Sequence, residues 1–408
     1  MKKIVILFAL LFINSAGFAV QETIVLEPRK DEISTNKFKL QIETSPYLTG
    51  DWGGLRSKLE EKGIDIQSSY VTNPMLLHSG EKKSSRTMYQ GLYNISLELD
   101  SEKLGIYKGG KFLILYQKGG QTFSPDEYLD TYSGINAFSP MGNLNHLGEL
   151  WYEHSFKEDL LNIKIGKHDV NLDFQAIDAG FDFLNASFWL IPNTHSAPFY
   201  PMQQTGVRAR LKLTENVYLQ NGIYDGNPGI NSSPKGFFNG ENGYFDIVET
   251  YYLANIKGHE GKYHLGSWIK TGNFKKIGKN DFEKNDYGGY LGFDQNVYRS
   301  RGNENGGFNV FGRFGYADIE DNEVPFFYSG GFYWKGIAQR KNDIAGLGFA
   351  WHQFHKALDA TNESVVEVFY KLHLTNSVYI QPDFQYIINS SGNGPDSFAI
   401  GLRSMITF

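Results

Sequence analysis

The chain has 408 residues, no cysteine, a formal net charge of −6 and a mean hydropathy of −0.38. It lacks the several apolar runs of about 20 residues that a multi-span helical membrane protein requires. Its negative charge disfavours a nucleic-acid-binding protein, because the phosphate backbone rewards positive charge. The absence of cysteine excludes disulfides and thiol chemistry. Glycine (45 residues) and aromatic residues (15%) are abundant, which is unusual for a series of packed globular domains.

Residues 1–19 are predicted to form a secretory signal peptide. Lys2 and Lys3 precede an apolar run over 4–13, and small residues follow up to Ala19. This order of charged, apolar and small residues is typical of an export signal, and the apolar run is too short to span a bilayer. We therefore expect export into the envelope of a Gram-negative bacterium, with cleavage after Ala19.

Residues 20–64 are predicted to be an N-terminal extension that contains one short helix. Residues 20–45 are polar and weakly patterned. Asp51 can cap a helix and Gly63 can end it, while Leu55 and Leu59 fall on one helical face. We expect this helix to lie on the periplasmic side, at the mouth of the domain that follows.

From residue 65 onward the sequence alternates between apolar and polar residues in segments of about ten, as transmembrane β-strands do. The predicted strands are 65–73, 89–99, 111–118, 148–156, 161–168, 205–213, 216–224, 245–256, 262–271, 287–298, 308–317, 326–338, 343–352, 363–374, 377–388 and 397–408. The fold class is therefore all-β: a transmembrane antiparallel β-barrel of about 16 strands over 65–408, as bacterial single-chain barrels require an even number.

The connections between these strands alternate in length. Those that follow odd-numbered strands average about 18 residues and those that follow even-numbered strands about 5, the asymmetry of extracellular loops and periplasmic turns in outer-membrane barrels. The longest connection is 169–204. Such a loop can fold into a barrel and narrow it, so we predict that it contributes to the pathway of the solute.

Charged strand residues should face the water-filled lumen, because the outer face of a barrel contacts lipid. Glu149, Trp151 and Glu153 share one strand face, Lys164 belongs to the next strand, and Arg208 and Arg210 to the strand after that. We expect these groups to meet on one patch of wall. The predicted constriction also includes Arg313 from a later strand, with Asp173 and Asp178 from the longest loop. The alternative is that these charges only solvate a wide lumen.

Residues 47–56, Tyr-Leu-Thr-Gly-Asp-Trp-Gly-Gly-Leu-Arg, carry a resemblance to a known family, supported by 148–153, 163–167 and 381–386. They resemble the opening motif of the carbohydrate-selective outer-membrane porins of the OprB type. The resemblance extends from about residue 46 to the end. It implies a sixteen-stranded barrel with a narrowed waist, through which monosaccharides and other small hydrophilic solutes diffuse passively. The segments 73–78 and 189–192 depart from the family pattern.

Two kinds of partner besides the solute are predicted. The apolar strand faces should contact outer-membrane lipid. Phe408, with Ile406 and Leu402 on its face, resembles the signal that the barrel assembly machinery reads. No nucleic-acid partner, catalytic residue, cofactor or metal site is predicted.

Three other functions compete with a sugar porin. One is a general or ion-selective porin without sugar preference, and another is an adhesion or structural barrel. The third is an outer-membrane barrel enzyme such as a phospholipase or protease. The sequence has no His-x-Ser triplet, which counts against a barrel phospholipase, and no G-x-S-x-G or phosphate-binding loop.

Overall fold

The computed structural model describes residues 45–408 except 126–127, 140–141, 192, 194–196, 227–242, 301–305 and 338–339. The predicted signal peptide and residues 20–44 of the predicted extension lie outside the described residues, so both stay predictions. Within the described residues, no helix is long and apolar enough to cross a bilayer.

The described chain is dominated by antiparallel strands. They are β1 (Ile64–Thr72), β2 (Met75–Ser79), β3 (Ser84–Met88), β4 (Gln90–Asp100), β5 (Gly110–Gln121), β6 (Leu144–Phe156), β7 (Leu161–His168), β8 (Gln204–Lys212), β9 (Val217–Asp225), β10 (Tyr244–Ile256), β11 (His259–Lys275), β12 (Phe282–Arg299), β13 (Gly307–Ala317), β14 (Phe326–Lys335), β15 (Ile344–Gln353), β16 (Asn362–His373), β17 (Val378–Ile388) and β18 (Ser397–Thr407). The α-helices are α1 (Leu55–Glu61), α2 (Val170–Asp173) and α3 (Ala186–Trp189), and the 3₁₀ helices are Asp178–Asp182 and Ser390–Gly392.

The sheet closes on itself, because β18 pairs with both β1 and β2. The segments β1 and β2 continue each other in one register along β18, and β3 and β4 do the same opposite them. Counting each of these two pairs as one span gives a closed barrel of 16 antiparallel spans, which confirms the predicted fold class.

The predicted end of the first strand at residue 73 is wrong. Pairing resumes beyond Asn73 and Pro74 and runs to Ser79, so most of the predicted first loop is strand. A proline lacks only its own N–H donor, and the Pro74 carbonyl still accepts a hydrogen bond from Leu402 N at 3.0 Å. The ladder is therefore interrupted at Pro74 without losing its register.

Alternation along the strands produces an apolar outer surface. In β18, for example, Phe398, Ile400 and Leu402 face outward, while Ala399 and Arg403 are buried inside the barrel. A strand with period two can serve both environments at once. The average composition of the chain hides this division between the lipid face and the interior.

Two long connections fold into the barrel. We call 122–143 loop 2 and 169–203 loop 3. Phe174, Phe183 and Phe188 of loop 3 are fully buried and belong to an apolar cluster inside the barrel. Their partners on the wall include Tyr224, Phe245, Trp268, Phe311 and Phe369. The interior therefore contains a packed core rather than an empty pore across its full width.

Wall glycines provide the space for these loop rings. A Cβ added to Gly348 would lie 2.6 Å from Phe188 Cε1. One added to Gly346 would lie 3.1 Å from Cζ of the loop ring Phe183 and 2.4 Å from Cε1 of the wall ring Phe369. All three distances are below van der Waals contact. Glycine at these positions is consequently needed for close approach of the loop to the wall.

Candidate functional site

The predicted charged patch forms on β6, β7 and β8. Glu153 is opposite Lys164 in the register, and Lys164 is opposite Arg208. Arg208 Nη2 lies 3.0 Å from Glu153 Oε2, and Lys164 Nζ lies 3.7 Å from the same oxygen. Arg208 also donates a hydrogen bond to Asn162 Oδ1. Alternation on neighbouring strands was enough to predict that these side chains meet.

Loop 3 adds a second acid to this patch. Asp173 ends α2, and its Oδ1 lies 2.9 Å from Lys164 Nζ and 3.1 Å from Arg208 Nη2. Burial alone would raise the pKa of Asp173, but the charges of Arg208 and Lys164 outweigh burial and hold that pKa well below its ordinary value. The four side chains Glu153, Asp173, Lys164 and Arg208 thus balance two negative charges against two positive ones.

The other predicted members of the patch lie at its margins. Trp151 Nε1 donates to Glu149 Oε2 at 2.7 Å, and Lys164 Nζ lies 4.8 Å from the centroid of the Trp151 ring. Arg210 instead pairs with Asp159, in the turn between β6 and β7, at 3.0 Å. Arg210 is therefore bound at the turn end of the barrel rather than within the group around Arg208.

Asp169 begins the inward path of loop 3 and caps α2. Its two carboxylate oxygens accept hydrogen bonds from Asn171 N at 2.8 Å and Tyr200 N at 3.0 Å. Burial, followed by the charge of Glu149, raises the pKa of Asp169 to about 7. The carboxyl that joins the two ends of loop 3 can thus gain a proton near neutral pH.

Carboxylates on the far wall bind the backbone of loop 3. Glu249 on β10 accepts from Gln175 N at 2.9 Å, and Asp294 on β12 accepts from Ala179 N at 2.9 Å. Glu367 on β16 accepts from Leu184 N at 2.5 Å and Asn185 N at 2.9 Å. The three acids are each at most 6% exposed, so they face the loop rather than open water.

Arg313 binds backbone carbonyl oxygens of loop 3. Its guanidinium donates to Phe188 O at 2.8 Å, Gln175 O at 3.2 Å and Trp189 O at 3.3 Å. The side chain is 3% exposed. The structure therefore places this predicted constriction residue behind loop 3, as a support, instead of on a water-filled surface.

The acids of loop 3 have different surroundings. Asp182 Oδ1 lies 2.8 Å from Lys371 Nζ on β16. Burial would raise the pKa of Asp182, but Lys371 and Lys335 lower it below its ordinary value. Asp178, which the sequence analysis selected, is exposed in the 3₁₀ helix between the two paired acids.

Loop 2 is held by an equivalent arrangement. Glu363 on β16 accepts hydrogen bonds from Tyr132 N at 3.0 Å and Ser133 N at 2.8 Å. Arg403 on β18 donates to Asn136 Oδ1 at 2.7 Å, and its guanidinium carbon lies 4.9 Å from the Phe138 ring centroid. The Ala137 N–H donates to Leu184 O at 2.8 Å, which joins loop 2 to loop 3.

A row of half-buried aromatic rings lies where the two loops meet. The centroid of Trp189 is 4.4 Å from that of Phe138 in loop 2 and 4.9 Å from that of Phe181. Tyr200 follows at 6.4 Å from Phe138. We call Phe138, Phe181, Trp189 and Tyr200 the aromatic row. Other loop aromatics, among them Phe174, Phe183 and Phe188, only pack the core.

Glu249, Asp294 and Glu363 were missed by the sequence analysis. Each is buried inside the barrel at a position whose strand parity points inward, so parity could have placed them in the lumen. Nothing in a strand pattern indicates that their partners are loop amides. Among the described residues, no group of three or more His, Cys, Asp or Glu side chains is arranged to hold a metal ion.

Comparison with known proteins gives consistent results. A family model described as carbohydrate-selective porin, OprB family, matches residues 82–408. The chain is 24% identical over 399 residues to Porin B of Pseudomonas aeruginosa, covering 85% of this chain and 88% of that protein. It is 22% identical to the putative porin QuiX of Acinetobacter baylyi, covering 89% and 93%.

Solved structures show the same fold. The high-pH structure of Pseudomonas putida OprB superposes with a TM-score of 0.83 at 21% sequence identity, covering 90% of this chain and 99% of that one. The low-pH structure of the same protein gives a TM-score of 0.62 at 19% identity.

Proposed function

Because this chain belongs to the carbohydrate-selective porins of the OprB family, and so is an outer-membrane channel, we propose that its preferred solutes are neutral monosaccharides. They pass the charged patch on β6–β8 and the aromatic row between loops 2 and 3. The process is diffusion, so selection rests on width, dipoles and charge along the path. The channel needs no bond chemistry.

The observation that carries this proposal is the internal balance of the patch. Glu153 and Asp173 neutralise Lys164 and Arg208 within 3.7 Å. Arg208 is 1% exposed, so the partly exposed side chains of Glu153, Lys164 and Asp173 offer the hydrogen-bond donors and acceptors. The balance of charges leaves little net field. Such a surface suits solutes rich in hydroxyl groups and gives no strong advantage to an ion of either sign.

The aromatic row supports the same choice of solute. The flat face of a sugar ring carries C–H groups and can pack on an aromatic ring, whereas its hydroxyls need polar partners. Trp189 and Phe181 are half-buried, with centroids 4.9 Å apart and ring planes at 87°. The row therefore offers apolar contact without the complete burial of Phe183 and Phe188.

Liposome swelling with a panel of sugars, amino acids and salts tests the proposal. We expect monosaccharides to enter faster than charged solutes of the same size. Trp189→Leu and Phe181→Leu should slow the entry of sugars and leave that of small salts nearly unchanged. Leu374→Ala, at an outward and exposed position after β16, is the control for loss of an apolar side chain.

Two other outcomes have defined meanings. Equal entry of neutral and charged solutes would replace the sugar porin with a general porin. A purified and folded protein that gives neither swelling nor single-channel conductance would exclude a diffusion pore, and would favour the structural barrel instead. The contacts of the outer face with lipid, and recognition of the last strand by the assembly machinery, belong to the same proposal.

A further inference from the structure

The motif at 47–56 lies at the seam where the barrel closes. Leu48 N donates to Thr407 O at 2.8 Å, and Phe408 N donates to Ser68 O at 2.8 Å. The pairing of β18 along the seam runs over β1 and β2, from Ser69↔Thr407 to His78↔Phe398, and ends at Ser69 on the side of the motif. On its seam side, the first part of β1, Ile64 to Gln67, extends past the end of this ladder, and an unpaired strand edge is a weak point.

Arg56 binds the end of the last strand directly. Its Nη2 donates to the main-chain oxygen of Phe408 at 2.9 Å. Its guanidinium carbon lies 3.5 Å from the centroid of Tyr47 and 4.2 Å from that of Trp52. The side chain is 4% exposed. A planar guanidinium suits both contacts, since it can stack on rings and donate at its edge.

The remaining residues of the motif set the position of Arg56. Trp52, Gly53 and Gly54 have φ angles of 50°, 70° and 90°, a left-handed run in which glycine is strongly preferred. Asp51 Oδ1 then accepts from Ser57 N at 2.8 Å and from Ser57 Oγ at 2.9 Å. The turn is thereby fixed to the first turn of α1, and Arg56 is directed at the seam.

We infer that residues 47–61, which we call the clasp, close over the seam as the last step of barrel formation and release the chain from the assembly machinery. The oxygens that the clasp binds, Thr407 O and Phe408 O, are placed only when β18 has paired with β1. Once formed, the clasp covers the end of the strand that the machinery is predicted to read. This inference rests on the proposed recognition of the last strand by the assembly machinery and is separate from the passage of solutes.

The test uses the full chain, folded into liposomes that contain purified barrel assembly machinery, with a photo-cross-linking residue in place of Ser404. Arg56→Ala should lengthen the lifetime of the cross-linkable complex several-fold. It should also lower the temperature at which the barrel unfolds in SDS, while single-channel conductance stays at the value of the parent. Tyr47→Leu combined with Trp52→Leu should act in the same direction.

Arg86→Ala is the matched control, because the Arg86 guanidinium lies 3.8 Å from the Phe123 ring centroid at the opposite end of the barrel. It should leave the lifetime of the complex unchanged. Arg56→Lys keeps the charge but loses the planar stacking, so both readouts should be intermediate. Arg56→Lys replaces Arg56→Ala in both measurements if the alanine variant cannot fold. Release and unfolding of Arg56→Lys identical to those of the parent would overturn the inference, as would identical behaviour of Arg56→Ala and Arg86→Ala.

Discussion

The two sides of the barrel interior use acidic side chains in different ways. On β6–β8, Glu153 pairs with the side chains of Lys164 and Arg208. On β10–β16, Glu249, Asp294, Glu363 and Glu367 accept hydrogen bonds from backbone amides of the two inward loops. The first side balances charge between side chains, and the second holds the two loops inside the barrel.

This difference matters because the two kinds of site respond differently to substitution. Removal of a paired side-chain acid changes the local field and leaves two bases less compensated. Removal of an acid that accepts from the backbone leaves buried N–H groups without a partner, which costs about 1–3 kcal/mol for each group. Selectivity should therefore be sensitive on β6–β8, and pore width should be sensitive on β10–β16.

The largest effect is expected for Glu367→Ala. The N–H groups of Leu184 and Asn185 lose their acceptor, so the barrel should be destabilised by about 2–6 kcal/mol and loop 3 should leave the wall. Single-channel conductance should rise and the unfolding temperature in SDS should fall. Glu98→Ala is the control, because Glu98 pairs instead with the exposed Lys111. Equal conductance of both variants would contradict the division between the two sides.

Asp173→Asn should have the next largest effect, on ion selectivity. It removes one of the two acids that compensate Lys164 and Arg208, so the reversal potential in a salt gradient should move toward anion preference. Asp178→Asn, at an exposed position of the same loop, removes an equal charge away from the patch. An equally large shift of the reversal potential for Asp178→Asn would show that ion selectivity depends only on the total charge.

The pH dependence of stability provides a smaller test. The pKa of Asp169 is raised to about 7, whereas the pKa of an aspartate in the unfolded chain is about 3.9. The folded protein therefore binds more protons in this window, and stability should fall as pH rises from about 4 to about 7. Unfolding temperatures recorded across this pH range measure the loss of stability. Asp169→Asn should make the unfolding temperature less dependent on pH between about 4 and about 7. An unchanged dependence would show that Asp169 is not its source.

The smallest effect is expected for Arg210→Gln. Its partner Asp159 lies in a turn and is 42% exposed, and exposed ion pairs contribute about 0–1 kcal/mol. Stability and sugar entry should stay close to those of the parent. Arg208→Gln, at a side chain bound to Glu153 and Asp173, should lower both. Equal losses of stability and sugar entry in the two variants would mean that the charged patch extends to Arg210, at the turn between β6 and β7.

The sequence was sufficient for the barrel and for the meeting of Glu153, Lys164 and Arg208 on its wall, but not for Arg210, which pairs with Asp159 in a turn. Alternation with a period of two fixes which side chains share a face, and neighbouring strands bring Glu153, Lys164 and Arg208 together. The same reasoning failed at Pro74, because a strand can pass a proline when the carbonyl beside it still accepts a hydrogen bond. It also placed Arg313 on the pathway, since strand parity cannot distinguish a side chain that faces water from one that faces a loop.

The contacts of loop 3 could not be predicted from its composition. Its aromatic residues divide between the buried core and the aromatic row, and this division depends on which wall position each ring meets. Asp173, Asp178 and Asp182 are similar in sequence context, yet two are paired with lysines and one is exposed. Local sequence specifies their chemistry, whereas the path of the loop across the barrel specifies their partners.

The fit between loop rings and wall glycines has a consequence for exchange of parts between related channels. Phe188 occupies the space that a side chain at position 348 would take, and a Cβ at position 346 would meet both Phe369 and Phe183. Loop 3 and these glycines are thus complementary halves of one unit. A loop 3 transplanted from a relative into this barrel should function only when the matching wall positions are transplanted with it, because residues distant along the chain form one packing unit.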